Sequence, residues 1–119
     1  EFNEETVEIS EKIALSVCAD NEINLLEALA PLAADKNIFP NVIGCLKEIY
    51  TECLVVKESA NSRGLHQKVS EKITQRLTAQ RIYDVICTLN LMNDMLKMNA
   101  NYNLLITNMS YKLREAVGK

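Results

Sequence analysis

Residues 39–57, FPNVIGCLKEIYTECLVVK, leave the chain few ways to fold. Val42, Leu46, Ile49, Cys53 and Val56 recur at the i, i+4, i+7 spacing of one helical face. Pro40 suits the first turn of that helix, where its missing N–H costs nothing. The stretch also carries two of the four cysteines, Cys45 and Cys53. Eight residues apart on an intact helix, they stand about 12 Å apart along its axis. A disulfide spans Cα atoms no more than about 7 Å apart, so if oxidised each must reach a different part of the chain.

The rest of the sequence supplies further rods. Three glycines and two prolines in 119 residues make few turns, which favours long helices over many short strands. A first helix is expected over 4–18, capped by Thr6, with Val7, Ile9, Ile13, Ala14, Val17 and Cys18 as its inward stripe. Glu4, Glu5, Glu8 and Glu11 fall where the helix dipole favours negative charge. Asp20-Asn21 ends this helix and caps a second over 22–35, with Ile23, Leu26, Leu29 and Leu32 apolar. Pro31 must kink or end that one, and Asp35-Lys36-Asn37 is a turn. After the loop Glu58–Gly64 (ESANSRG), Leu65, Val69, Ile73 and Leu77 mark a fourth helix, flanked by a basic row of Lys68, Lys72 and Arg76.

The fifth helix, 79–98, is the most apolar. One face shows Ile82, Val85, Ile86, Leu89, Met92 and Leu96; the other shows Tyr83, Cys87, Leu91 and Met98. Apolar residues on both sides read as a central helix, with Cys87 turned toward a second neighbour. The run Asn99–Asn103 breaks the pattern. A sixth helix, 102–116, uses Leu105, Met109, Leu113 and Val117 and stops at Gly118. The expected fold is therefore all-α, a single compact domain over 1–119 of five to six helices. Glu1-Phe2 is set aside as a vector-junction remnant.

Four cysteines allow three pairings. The helix holding Cys45 and Cys53 apart removes one of them, and with it Cys18–Cys87. Cys18–Cys45 with Cys53–Cys87, or Cys18–Cys53 with Cys45–Cys87, remain. Up-and-down packing runs the first, third and fifth helices parallel and favours the second set. Two disulfides closing loops of about 35–43 residues would each contribute roughly 4 kcal/mol. The competing reading is four buried thiols in a helical core.

No reaction chemistry is legible. The single histidine, His66, sits at a helix start, where an exposed or capping role is expected, and no ligand-spaced neighbour points to a metal. Glycines at 44, 64 and 118 build no nucleophile elbow or phosphate loop, and the i, i+4 pair Glu48 and Glu52 reads as solvated. No catalytic residue, cofactor or metal is expected. Residues 1–56 carry 11 acidic and 3 basic side chains, and 57–119 carry 5 and 10, so −8 and +5 give the net −3. That asymmetry lets the halves attract each other or present opposite faces to a partner, and reads as solvated surface ahead of a nucleic-acid patch. No apolar run is long enough for a membrane span. With neither an initiator methionine nor a signal peptide, the chain reads as processed or excised. Asn108-Met109-Ser110 is a glycosylation sequon.

The layout Cys18, Cys45, Cys53, Cys87 and the block FPNVIGCLKEIYTEC resemble the albicin-like small helical salivary proteins of anopheline mosquitoes, over about Thr6–Lys119. That resemblance implies a secreted inhibitor of the host's alternative complement pathway that binds the convertase and cleaves nothing. The expected partner is then a host plasma protein complex, met by a monomer. The basic row Lys68, Lys72, Arg76 with Arg81 is the expected contact, being the densest face of one sign. Two alternatives compete: an intracellular helical interaction domain with reduced thiols, and a carrier of a small apolar ligand lined by Met92, Met95, Met98 and Met109.

Overall fold

The computed structural model describes residues 2–59, 64, 66–98 and 101–119. Most of the ESANSRG loop, Leu65 of the fourth stripe and residues 99–100 of the Asn99–Asn103 break lie outside them. Among the described residues all the regular structure is helical, with no strand. The helices are α1 (Glu4–Val17), α2 (Glu22–Ala28), α3 (Ala30–Ala34), α4 (Phe39–Ser59), α5 (Gln67–Arg76), α6 (Ala79–Lys97) and α7 (Tyr102–Ala116), with a 3-10 turn at Lys36–Ile38. The seventh helix arises because Pro31 ends the predicted second one: α2 stops at Leu29 and α3 restarts with the proline in its first turn.

Local chemistry sets the helix starts. Asn3, not Thr6, caps α1: its side chain accepts the Thr6 N–H at 2.7 Å, and Thr6 itself is buried. Asn21, Thr78 and Asn101 do the same for α2, α6 and α7. At the far end of α7, Gly118 takes φ +82°. That left-handed residue lets Lys119 N–H reach the Arg114 carbonyl and Gly118 N–H reach that of Glu115, a Schellman stop that only glycine enters without strain.

The core confirms most of the stripes and corrects three. Val42, Leu46, Ile49 and Cys53 are buried, and Ile43, Cys45 and Tyr50 join them, so α4 is covered on several sides. It packs on α1, α5 and α6. All four predicted α7 residues, Leu105, Met109, Leu113 and Val117, are buried. In α2 the inward positions are Leu25 and Ala28, whereas Ile23 and Leu26 are about half exposed. The buried face of α1 includes Thr6 and Ser10 beside Ile13, Ala14 and Val17. The second face of α6 has no neighbour among the described residues: Tyr83, Cys87 and Leu91 are exposed and Met98 is 79 % exposed. The central helix is α4, not α6.

Helices α1 and α4 run parallel, as the up-and-down arrangement requires. Ser10 donates to the Val42 carbonyl at 3.5 Å, and Tyr50 donates to the Ala14 carbonyl at 2.8 Å. The contacts thus advance along both helices in the same direction. This brings Cys18 near enough to Cys53 that a charge on Cys18 would raise the Cys53 thiol. Even so, all four cysteines are free thiols, and the expected disulfides Cys18–Cys53 and Cys45–Cys87 do not form. Cys18 hydrogen-bonds the Leu15 carbonyl of its own helix. Cys45 is buried beside Ser10 of α1, while Cys87 faces outward from α6. A thiol titration should therefore find Cys87 reacting alone in the native protein and four thiols in denaturant; fewer than four would restore a disulfide.

Burial of neutral groups gives the fold an alkaline limit. Desolvation, helped by the nearby Glu52 and Cys18, pushes the Cys53 thiol up to about 12. Desolvation also raises the fully buried Tyr50 phenol well above its usual value. A folded-state pKa raised in this way stabilises below the unfolded pKa and is lost as pH climbs toward the folded one. The protein should hold its urea midpoint near pH 8 and lose stability between about pH 9 and 12. A Cys53→Ala variant should lose less over that range, and equal losses in both proteins would assign the limit elsewhere.

Candidate functional site

Two surfaces and one buried polar cluster are the places where this fold could meet another molecule. The basic row is present on α5, with Lys68, Lys72 and Arg76 all exposed. Arg76, however, turns its guanidinium to the Cys18 carbonyl at 3.2 Å. Arg81 leaves the row altogether, its guanidinium lying against Gly118. Lys68 and Lys72 are what the row presents outward. The second surface is the outer face of α6. Tyr83, Cys87 and Leu91 follow at four-residue steps, and Met98 falls on the same side about two turns later. The four methionines do not converge on one cavity, because Met92 and Met109 are fully buried in the core and Met98 faces outward.

The buried cluster lies where α1, α4 and the start of α5 meet. His66 precedes α5 and caps it with no side-chain bond. Of the expected exposed or capping histidine it keeps the N-cap position but not the exposure, being only 4 % exposed. Its Nδ1 lies 2.9 Å from Glu11 Oε2 of α1. Its Nε2 points toward Glu48 Oε2 at 3.9 Å and is buried without a hydrogen-bond partner among the described residues. Glu52, one turn beyond Glu48 on α4, holds the approach: it accepts the His66 backbone N–H at 3.2 Å and the Ser70 hydroxyl at 2.8 Å. Gly64 passes so close that a Cβ there would overlap the Glu52 carboxylate. The Glu48–Glu52 pair is thus divided, since Glu52 is tied into the fold while the Glu48 side chain stays 41 % exposed.

Cys45 completes the group. It sits three residues before Glu48, on the same side of α4. One ligand atom from each of Cys45, Glu48 and His66 lies within 4.8 Å of the other two. Residue spacing carries no sign of this group, because 45–48 is a common interval and His66 arrives from the start of α5. The signals that could have found it are the lone histidine two residues after a glycine and a cysteine one turn from a carboxylate, both too common to stand alone. Desolvation raises the Cys45 thiol, opposed by a hydrogen bond with Ser10. No helix among the described residues is long and apolar enough to cross a membrane. Comparison with protein-family models, curated proteins and solved structures returns no match.

Proposed function

We propose that this chain is a secreted, non-catalytic inhibitor of a host defence cascade, the alternative complement pathway, and that it works as a monomer by occupying a surface of the convertase. The resemblance carried by FPNVIGCLKEIYTEC supports the pathway; the unpaired cysteines lend it nothing. The observation that supports action by surface contact is the outer face of α6, where Tyr83, Leu91 and Met98 stand exposed on one side of a 19-residue helix. Aromatic and large apolar side chains are the usual anchors of a protein interface. We assign the anchor to this face rather than to the basic row, because Arg76 and Arg81 are engaged within the fold.

The test is haemolysis driven by the alternative pathway. The wild-type protein should inhibit it at micromolar concentration. The double variant Tyr83→Ser/Leu91→Ser should lose about tenfold or more in potency, at about 1–2 kcal/mol for each lost anchor. Lys68→Glu/Lys72→Glu should change it little. Inhibition lost only in the lysine variant returns the contact to α5, and no inhibition by the wild type removes the pathway.

A further inference from the structure

We propose that Cys45, Glu48 and His66 form a three-ligand site for a borderline transition cation of the Zn²⁺ type. The strongest observation is the unpartnered His66 Nε2. A buried nitrogen without a hydrogen bond is costly to a fold, and this one is aimed at a carboxylate that stops at 3.9 Å, too far for a hydrogen bond. A cation between the two removes that cost. Bonds of about 2.0–2.3 Å from nitrogen, oxygen and sulfur in tetrahedral array place neighbouring ligand atoms roughly 3.3–3.8 Å apart. The three atoms, all within 4.8 Å, need side-chain adjustments of about an ångström to meet it.

The surroundings match a metal-binding histidine. Nδ1 can donate to Glu11 at 2.9 Å, which leaves Nε2 with its lone pair free and directed at the site. A carboxylate behind a histidine in this way orients ligating imidazoles. The backbone of His66 is fixed by Glu52, so the ring is held from two sides. The donor set selects the cation: sulfur and imidazole favour Zn²⁺ and its neighbours over Ca²⁺ or Mg²⁺. Binding converts the Cys45 thiol to thiolate and releases its proton to solvent. Thiolate, carboxylate and neutral imidazole then carry two negative charges against the ion's two positive. The partly exposed Glu48 gives the entry path and leaves the fourth position to water.

The reduced protein should bind one Zn²⁺ per chain in equilibrium dialysis. Co²⁺ in its place should give a thiolate-to-metal charge-transfer band, with the visible intensity of four-coordination. Cys45→Ser should abolish that band, and Glu48→Gln, on the open side of the site where folding is least at risk, should weaken Zn²⁺ binding about tenfold or more. Glu11→Gln should cost about 10–100-fold, acting through the imidazole alone. Circular dichroism of each variant separates misfolding from ligand loss. No charge-transfer band in the wild type, or Zn²⁺ affinity equal in wild type, Cys45→Ser and Glu48→Gln, overturns the site and leaves His66 as a buried histidine held by Glu11.

Discussion

Phe39→Ala should cost about 3–5 kcal/mol, the loss expected for a fully buried aromatic ring. Phe39 is completely enclosed at the first turn of α4. Its ring meets that of Tyr102 edge-on, with centroids 5.8 Å apart and planes at 79°. The Tyr102 hydroxyl in turn donates to the Leu32 carbonyl of α3, and the Lys36 ammonium stands 5.9 Å from the Tyr102 ring centre. One phenyl group therefore anchors α4, α7 and the α3 segment together. Against a total stability of about 5–15 kcal/mol for a domain, its removal should lower the thermal midpoint by more than about 10 °C. A double-mutant cycle with Tyr102→Ala should return a coupling of about 0.5–1.5 kcal/mol from the ring pair. A loss below about 1 kcal/mol for Phe39→Ala would show that the site collapses around the gap.

Arg114→Ala is the second large effect, about 2–3 kcal/mol, because one charged group here serves several carbonyls. Helix α1 ends with no basic residue in its own last turn. Its terminal carbonyls are satisfied from a distance instead. Arg114 of α7 donates to the Val17 carbonyl at 3.3 Å, to that of Ala19, and to that of Asp20 at 3.4 Å. Arg76 of α5 takes the Cys18 carbonyl. A cation at a helix C-terminus also gains from the dipole. Arg114→Lys should recover only part of the loss, since an ammonium cannot span carbonyls as the planar fork does. Equilibrium urea unfolding reads both variants. Equal stability of Arg114→Ala and the parent would mean that water satisfies those carbonyls as well as the guanidinium does.

Much of this architecture was legible in residue spacing. The α7 stripe Leu105, Met109, Leu113, Val117 and its stop at Gly118 are both as read, since an amphipathic helix with a glycine at its end is governed by local rules. Where the reading failed, a tertiary contact had overruled the local pattern. Ser10 and Thr6 face inward because Ser10 meets the Val42 carbonyl and the Asn3 cap turns Thr6 into the core; hydropathy assigns both to solvent. In α2 the inward register falls on Leu25 rather than Leu26, a choice that two adjacent leucines leave open. The outer face of α6 looked like a buried stripe because periodicity counts apolar residues and not the helices available to cover them. The buried cluster was invisible for a related reason: Glu11, Cys45, Glu48 and His66 come from three parts of the chain, and only the parallel packing of α1 on α4 with α5 laid across them brings these side chains together.

The remote capping of α1 has a bearing on how the chain reaches its native state during synthesis. The Val17 carbonyl and the guanidinium that serves it are 97 positions apart, and the Leu32 carbonyl waits 70 positions for the Tyr102 hydroxyl. The first helix thus leaves the ribosome long before its completing groups exist. Ties of such span close late, because loop entropy must be overcome before they form. Nascent chains halted before α7 should carry helical segments with exposed ends and should dock them only once α7 is released.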